Sequence, residues 1–227
     1  MGNFLGIDAS TQSMTGLVIN TSSAQIIAEE SVNFDEYYAE KYGVENGVLD
    51  AGNGVVHSPP LMWAEALEAL LRQLRESGIN LASIEAVSGS GQQHGTVYLN
   101  QSAAGVLGGL RSDLSLTDQL NGVFSRPTAP VWMDTSTRVQ CDEIETGVGG
   151  RQRLLELTGN TAFERFSGPQ IRKFAQQEPA AYERTTTICL VSSFVASLLA
   201  GRVVPVDAGD GSGTNLMDIG QQRWSQD

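Results

Sequence analysis

The sequence is poor in cysteine, in histidine and in positive charge. Its 227 residues include two cysteines, two histidines and 14 lysines and arginines, against 26 aspartates and glutamates, for a net charge of −12 at pH 7. A protein that binds nucleic acid or an anionic membrane needs a basic face to displace counterions, so this balance disfavours both partners. Cys141 and Cys189 form neither a disulfide framework nor a CxxC pair, and a reducing compartment is the simplest interpretation.

A long hydrophobic run is also missing. The longest apolar stretch, from Ile188 to Ala200, is interrupted by three serines and is too short and too polar to span a bilayer. The N-terminus lacks a cationic start and reaches Asp8 after a very short apolar run, which is not the pattern of a signal peptide. These features predict a soluble, cytoplasmic protein.

Two nucleotide-binding signatures, GxxxxGK[ST] and a strand-anchored GxGxxG, are absent. What is present is an alternation of strand and helix patterns after three apolar runs that predict an antiparallel opening. The expected strands are 4–8, 14–19, 24–32, 84–87, 96–99, 129–133 and 186–191. The expected helices begin at Pro60, after Asp134 with Thr135 as cap, at Arg151, at Pro169 and at Ser192 or Ser193. The pattern predicts an α/β fold with a mixed central sheet flanked by helices.

Some details of this prediction concern the first helix and two segments outside the regular pattern. Leu61, Ala64, Leu67, Leu71 and Leu74 fall on one face of the helix, and Gly78 ends it. Residues 35–57, rich in glycine and acids, read as a long surface excursion in which His57 is an ordinary solvated histidine. Residues 101–127 form a second Gly/Ser/Leu-rich insertion with no assigned structure.

Two strand ends carry residues suited to ligand binding. Asp8 ends the first strand before a turn with Ser10, Thr11 and Ser13, whose N–H groups and hydroxyls suit a phosphate while the carboxylate suits magnesium through water. The blander alternative is an aspartate in a hairpin turn. Gly91-Gln92-Gln93-His94-Gly95 lies between two strands, where neutral, directional Gln and His side chains suit sugar hydroxyls. The alternative is a histidine whose hydrogen bonds are made within a crowded turn.

Three further motifs are less specific when each is taken alone. Trp132-Met133-Asp134 again ends a strand in a carboxylate, which either serves a ligand or helps to cap the next helix. Glu164-Arg165-Phe166 places an arginine between helices, as a fork-shaped donor or as a plain surface residue. Residues 207–215 alternate Asp and Gly, but a calcium loop would need a glutamate at its twelfth position, and none is there.

Together these strings are much more specific, and the sequence resembles the FGGY carbohydrate kinases, most of all their xylulokinase branch. Gly6-Ile7-Asp8 with Thr11 resembles the phosphate-binding hairpin of actin-like ATPases and sugar kinases. The FGGY likeness rests on residues 90–95, 131–134, 163–166 and 210–215 and extends from Phe4 to Trp224. It implies a ribonuclease-H-like domain of the actin-like ATPase superfamily, with ATP and Mg²⁺ as cofactors and a ketopentose as substrate.

The resemblance also implies a role for individual residues. Asp8 would position magnesium and phosphate, and Thr11 and Ser13 would approach the terminal phosphates of ATP. Gln93 and His94 would bind the ketopentose, D-xylulose, in a pocket that two further side chains, Asp134 and Arg165, complete. Catalysis of this kind is positioning plus charge neutralisation.

The sequence departs from the family at one motif, because no Gly-Asp-Asn string, which carries the catalytic base, occurs in it. Asp210 and Asp207 are the only candidates for a replacement base. We therefore expect residues 1–227 to be the N-terminal domain alone, inactive without a C-terminal adenine-binding domain of the same polypeptide. The alternatives are a kinase for another pentulose or polyol, such as ribulose, and a stand-alone sugar-binding module. The sequence leaves the oligomeric state open.

Overall fold

The chain folds into strands and helices that alternate after an antiparallel start. The computed structural model describes residues 2–226. In chain order its strands are β1 (Asn3–Ala9), β2 (Ser13–Asn20), β3 (Gln25–Asn33), β4 (Leu49–Gly52), β5 (Val55–Ser58), β6 (Ile84–Gly91), β7 (Thr96–Asn100), β8 (Ala129–Pro130), β9 (Thr185–Leu190), β10 (Met217–Asp218) and β11 (Arg223–Trp224). Its helices are α1 (Phe34–Tyr42), α2 (Pro60–Glu76), α3 (Ala103–Gly108), α4 (Leu116–Leu120), α5 (Arg138–Gly147), α6 (Arg151–Thr158), α7 (Ser167–Gln177), α8 (Pro179–Glu183), α9 (Val191–Ala200) and α10 (Ala208–Ser212).

The central sheet has the strand order β3-β2-β1-β6. β2 pairs antiparallel with both β1 and β3, whereas β6 pairs parallel with β1. The sheet is therefore mixed and opens with an antiparallel meander, as the sequence predicts. Smaller antiparallel pairings join β4, β5 and β8, β7 and β9, and β10 and β11.

One face of this sheet forms the main core. Along β1 and β2 every second side chain is buried, as a strand with one face against the core requires. These side chains pack against α2 and α9, which both contact the sheet. None of the helices within residues 2–226 is long and apolar enough to cross a membrane.

Helix α2 begins at Pro60, where a missing backbone N–H costs nothing, and Gly78 follows its end with φ of 97°. Its buried stripe is wider than predicted. Leu61 and Leu71 are only half-buried, while residues between the predicted positions are buried as well. The buried side chains are Pro60, Met62, Trp63, Ala64, Ala66, Leu67, Leu70 and Leu74. The helix contacts the sheet and also α1, α4 and α9, so it buries more than one face.

The expected surface excursion at 35–57 is wrong, because these residues form α1, β4 and β5. Asn33 caps α1 by accepting a hydrogen bond from the Glu36 N–H at 3.0 Å, and Gly43 ends it at φ 70°. The Asp35 carboxylate then accepts hydrogen bonds from the N–H groups of Asn46 at 2.6 Å and Gly47 at 2.7 Å. The glycines serve as turn residues within ordered structure.

Several predicted boundaries also move. The insertion at 101–127 contains α3 and α4. The strand after residue 128 ends at Pro130, and the next helix starts at Arg138, so Thr135 does not cap it. Helix α9 begins at Val191, one residue before the predicted serine caps, and Ser193 Oγ accepts from the Leu190 N–H at 3.0 Å. β6 continues to Gly91, four residues beyond its predicted end.

The buried face of α2, as the structure has it, gives a test of stability. Leu70 is fully buried, and its methyl groups lie against Gly16 of β2. We expect Leu70→Ala to lower the free energy of unfolding by about 2–5 kcal/mol, because it removes buried apolar contacts and leaves a cavity. The half-buried Leu71 is the matched control, and Leu71→Ala should cost about 1 kcal/mol. Urea denaturation measures both changes. Equal losses of unfolding free energy in the two variants would contradict the difference in burial between Leu70 and Leu71.

Candidate functional site

The site is organised by the parallel pairing of β1 and β6, whose carboxyl ends meet at one edge of the sheet. Asp8 lies opposite Ser90, and Ala9 lies opposite Gly91. The Gln92 N–H continues the pairing by donating to the Ala9 carbonyl at 2.8 Å. Both predicted ligand-binding segments therefore leave the sheet side by side.

The first cavity, here called the hairpin cavity, surrounds the β1–β2 turn. It has a volume of about 840 Å³ and is lined in part by Asp8, Thr11, Ser13, Gln93 and Trp132. Asp8 accepts a hydrogen bond from Ser90 Oγ at 2.6 Å and another from Ser10 Oγ, which fix the carboxylate. The structure thus brings together the three residues predicted for phosphate and magnesium.

The β1–β2 turn is held from two sides. On one side, Trp132 Nε1 donates a hydrogen bond to Thr11 Oγ1 at 2.9 Å. On the other, Gly47 packs so closely on the turn that a Cβ there would lie 2.0 Å from the Thr11 carbonyl oxygen. Gly47 also has φ of 76°, so both space and backbone conformation require glycine. The Gln12 carbonyl accepts from the Phe34 N–H at 2.8 Å.

The second cavity, here called the histidine cavity, lies on the other side of the Gly91–Gln93 segment. It has a volume of about 360 Å³, within the range typical of small-molecule sites. Its polar lining includes Gln93, His94, Asn160, Arg165, Ser192 and Asp210. Three of the four residues predicted to bind sugar therefore share one cavity, and Gln93 also lines the hairpin cavity.

His94 is held in place from several directions. Its backbone has φ of 65°, a left-handed conformation that turns the chain between β6 and β7. Its ring lies 4.7 Å from the Phe166 ring, between centroids, and is hydrogen-bonded to the backbone of Gly213. Burial is the main cause that lowers the pKa of His94, and the Arg165 cation lowers it further. The hydrogen bond to Gly213 and the Asp210 carboxylate partly offset this shift. His94 is therefore neutral at pH 7 and has both a donor and an acceptor nitrogen.

The glycines on either side of His94 are required by the close packing of a helix. A Cβ on Gly91 would lie 2.8 Å from the Ser192 backbone nitrogen, and one on Gly95 would lie 2.5 Å from Val191 Cγ2. What approaches these glycines is the first turn of α9. The Gly91–Gly95 segment is thus locked against a helix, and its ligand-facing groups are the side chains of Gln93 and His94.

Sequence reasoning did not assign Asn160 and Ser192 to this cavity and considered Asp210 only as a replacement base. Ser192 Oγ donates a hydrogen bond to the Asp210 carboxylate, which links α9 to α10. Asp210 is exposed and lies on α10, whose N-cap residue is Asp207. The signal for Asp210 was its place in the 210–215 motif, but Asn160 and Ser192 stand in no motif that singles them out.

Asp134, the fourth residue predicted for the sugar pocket, lines neither the histidine cavity nor the hairpin cavity. Its side chain is fully buried. Its carboxylate accepts hydrogen bonds from the Val56 N–H at 3.0 Å, the Ser136 N–H at 2.9 Å and Gln170 Nε2 at 2.7 Å. Asp134 therefore ties together β5, the α5 entry and α7 behind the site.

His57 belongs to the same buried region and is not a solvated histidine. Its Nδ1 bonds to Thr128 Oγ1 at 2.8 Å, and its Nε2 lies 3.6 Å from Asp134 Oδ2. Burial, with the Arg126 and Lys173 cations, lowers its pKa from 6.5 to about 4 against the opposing effect of Asp134. At neutral pH the ring is uncharged, so the contact with Asp134 is not an ion pair.

A magnesium ion would find one carboxylate at the hairpin cavity. Within residues 2–226, no three His, Cys, Asp or Glu side chains come together as a metal cluster. Mg²⁺ keeps several waters and is commonly held by one or two carboxylates together with substrate phosphates. The donor set of Asp8 and neighbouring hydroxyls fits an ion held through water better than a dedicated protein cage.

A comparison with family models decides the relationship of the chain. Residues 111–227 match the model of the N-terminal domain of the FGGY family of carbohydrate kinases. The chain belongs to the FGGY family. This confirms the resemblance on which the predicted site rests.

Two curated relatives of this FGGY chain are named as xylulose kinases. Xylulose kinase 2 of Arabidopsis thaliana is 46% identical over 225 residues, a match that covers 98% of this chain and 40% of the relative. The xylulose kinase of Rattus norvegicus is 44% identical over 223 residues, which is 98% of this chain and 41% of the relative. The chain thus spans about two fifths of the length of these relatives.

Solved structures of sugar kinases show the same fold. The xylulose kinase of Brucella ovis superimposes with a TM-score of 0.77 at 21% identity, over 98% of this chain and 39% of that one. A glycerol kinase of Plasmodium falciparum with ADP superimposes with a TM-score of 0.75 at 18% identity, over 100% of this chain and 40% of that one. The ribonuclease-H-like, actin-like ATPase fold predicted for this FGGY chain is confirmed.

The buried His57 predicts how stability depends on pH. Its folded pKa of about 4 lies below its ordinary 6.5, so the unfolded chain binds the proton more tightly. Its contribution to stability is full above pH 6.5 and is lost as the pH falls towards 4, by up to about 3 kcal/mol. Urea denaturation across this range should show a steeper loss for the wild type than for His57→Gln. A His57 ring that titrates near pH 6.5 by NMR would contradict this account.

Proposed function

We propose that this chain is the sugar-binding and phosphate-binding domain of an ATP-dependent kinase that phosphorylates D-xylulose to xylulose 5-phosphate. The observation that carries the proposal is the adjacency of the two cavities, which share the Gly91–Gln93 wall. A sugar in the histidine cavity and a terminal phosphate in the hairpin cavity would meet across Gln93. The names of the two xylulose kinase relatives support the choice of sugar.

On this proposal the histidine cavity selects and orients the ketopentose. The neutral His94 ring donates to Gly213 and keeps a second nitrogen for a sugar hydroxyl. Arg165 lines the same cavity and offers several N–H donors, and its guanidinium also lies 5.7 Å from the Phe163 ring centroid. Gln93 has a donor and an acceptor at the boundary of the cavities. Such fixed, directional groups bring the acceptor hydroxyl towards the phosphate.

The hairpin cavity would hold the terminal phosphates of ATP. Thr11 and Ser13 contribute hydroxyls, and the turn beyond the last β1–β2 pair, Ala9 and Met14, contributes backbone N–H groups. Asp8, fixed by Ser10 and Ser90, would bind the waters of a magnesium ion. When bound, magnesium neutralises charge that develops on the phosphate oxygens.

The catalytic base and the adenine site would come from sequence that this chain does not contain. No Gly-Asp-Asn motif occurs in the 227 residues. Residues 1–227 would therefore act as one domain that closes against an adenine-binding domain of the same polypeptide.

The sugar site can be tested in a full-length kinase that carries this chain. We expect His94→Ala to raise the Michaelis constant for D-xylulose about 5- to 150-fold, since about 1–3 kcal/mol is lost when a buried hydrogen-bonding partner is removed. The constant for ATP should change little. Thr11→Val is the reciprocal variant and should raise mainly the Michaelis constant for ATP.

Steady-state kinetics with D-xylulose and D-ribulose in parallel test the choice of sugar. An unchanged dependence on both sugars in His94→Ala would remove His94 from the site. A preference for D-ribulose in the unaltered protein would favour the ribulose-type kinase.

The 227-residue chain alone should show no sugar-dependent ATP turnover. General-base assistance is worth about 10²–10⁴-fold, and the positioning supplied by domain closure adds to it. A coupled ADP-release assay with D-xylulose and magnesium–ATP measures this directly. Turnover at ordinary enzyme rates, abolished by Asp8→Ala, would show that the chain has its own base. Tight sugar binding without any nucleotide binding would favour a stand-alone sugar-binding module.

A further inference from the structure

Trp132 is an exposed aromatic side chain on a firmly held turn. Its neighbours Val131 and Asp134 are fully buried, and the Asp134 N–H donates to the Val131 carbonyl at 2.9 Å, which closes the turn. The Trp132 side chain itself is 44% exposed and lines the hairpin cavity. The backbone turn thus fixes where the indole leaves the chain, while close to half of the residue stays exposed.

The indole makes one directed contact, with a residue 121 positions earlier in the chain. Its Nε1–H donates to Thr11 Oγ1 at 2.9 Å. An indole can only donate, whereas a threonine hydroxyl has one proton and two lone pairs. While Thr11 accepts from the indole, its own proton stays available for another acceptor.

Within residues 2–226, the side-chain hydrogen bond of Thr11 is the one that it accepts from the indole. The neighbouring Asp8 carboxylate already accepts from Ser10 and Ser90. The Thr11 backbone is held by the close packing of Gly47 on its carbonyl oxygen. The turn and the indole therefore hold the hydroxyl oxygen of a residue that lines the hairpin cavity.

We propose that Trp132 is a positioning residue that orients the Thr11 hydroxyl to donate its proton to a phosphate oxygen of the nucleotide. The inference rests on the proposed function of the hairpin cavity. It assigns Trp132 to phosphate binding through Thr11, without direct contact between the indole and the phosphate.

The hydrogen bond itself is tested by the indole N–H resonances in ¹⁵N–¹H spectra of the 227-residue chain. The sequence has three tryptophans, Trp63, Trp132 and Trp224, and Trp132→Phe identifies the relevant signal by its loss. We expect Thr11→Val to shift the Trp132 signal without nucleotide, and Thr11→Ser to leave it near its wild-type position. A signal that Thr11→Val does not move would overturn the inference.

Nucleotide binding is tested by titrating magnesium–ATP into a full-length kinase that carries this chain and the same substitutions, because the proposed adenine site lies outside residues 1–227. The Trp132 signal should shift saturably in the wild type and in Thr11→Ser, and Trp132→Phe should weaken affinity about 3- to 10-fold, the effect of one hydrogen bond. In the Thr11→Val background Trp132→Phe should cause no further loss, because the indole acts through Thr11. Trp224→Phe is the matched control, since Trp224 is 49% exposed and does not line the hairpin cavity.

The outcomes separate this inference from the function on which it rests. If wild-type protein shows no saturable shift with magnesium–ATP, the phosphate role of the cavity fails and the inference fails with it. If the wild type binds but Trp132→Phe binds equally tightly, only the inference fails. A further loss of affinity in the Thr11→Val background would make Trp132 a wall of the cavity instead of a positioning residue.

Discussion

The parallel pairing of β1 with β6 is the constraint on which the site depends. It places the end of β1 beside the end of β6, so that a carboxylate on one strand and a glutamine–histidine pair beyond the other share an edge. The Gln92–Ala9 bond extends the pairing past the last residues of both strands. Neither cavity would have its present wall if β6 shifted by one residue, because the side chains would exchange faces.

The elements that the sequence predicts well are those whose signal is local. β1 and β2 alternate buried and partly exposed residues. The proline at the start of α2 and the glycine after its end mark the bounds of the helix in the sequence itself. The family motifs also identify Asp8, His94 and Arg165, which the structure places at adjoining cavities. The family resemblance therefore predicted more of the site residues than composition or periodicity did.

The features that the sequence does not reveal depend on contacts between distant residues. Asp134 follows a strand as Asp8 does, yet its oxygens bind Val56, Ser136 and Gln170, so one carboxylate is structural and the other faces a cavity. His57 is buried because α1, β4 and β5 form where glycines suggested a loop. Ser192 joins the histidine cavity only because Gly91 and Gly95 let α9 approach β6.

This close approach of α9 decides which parts of the site a mutagenesis library can vary. Side chains at Gly91 and Gly95 would collide with the helix, so randomising these codons would mostly return unfolded protein, whatever the sugar. Arg165, in the turn before α7, and Asp210, on the short helix α10, line the same cavity and are exposed. If the proposed function is correct, variants meant to change the sugar preference should therefore alter these two positions and leave the end of β6 unchanged.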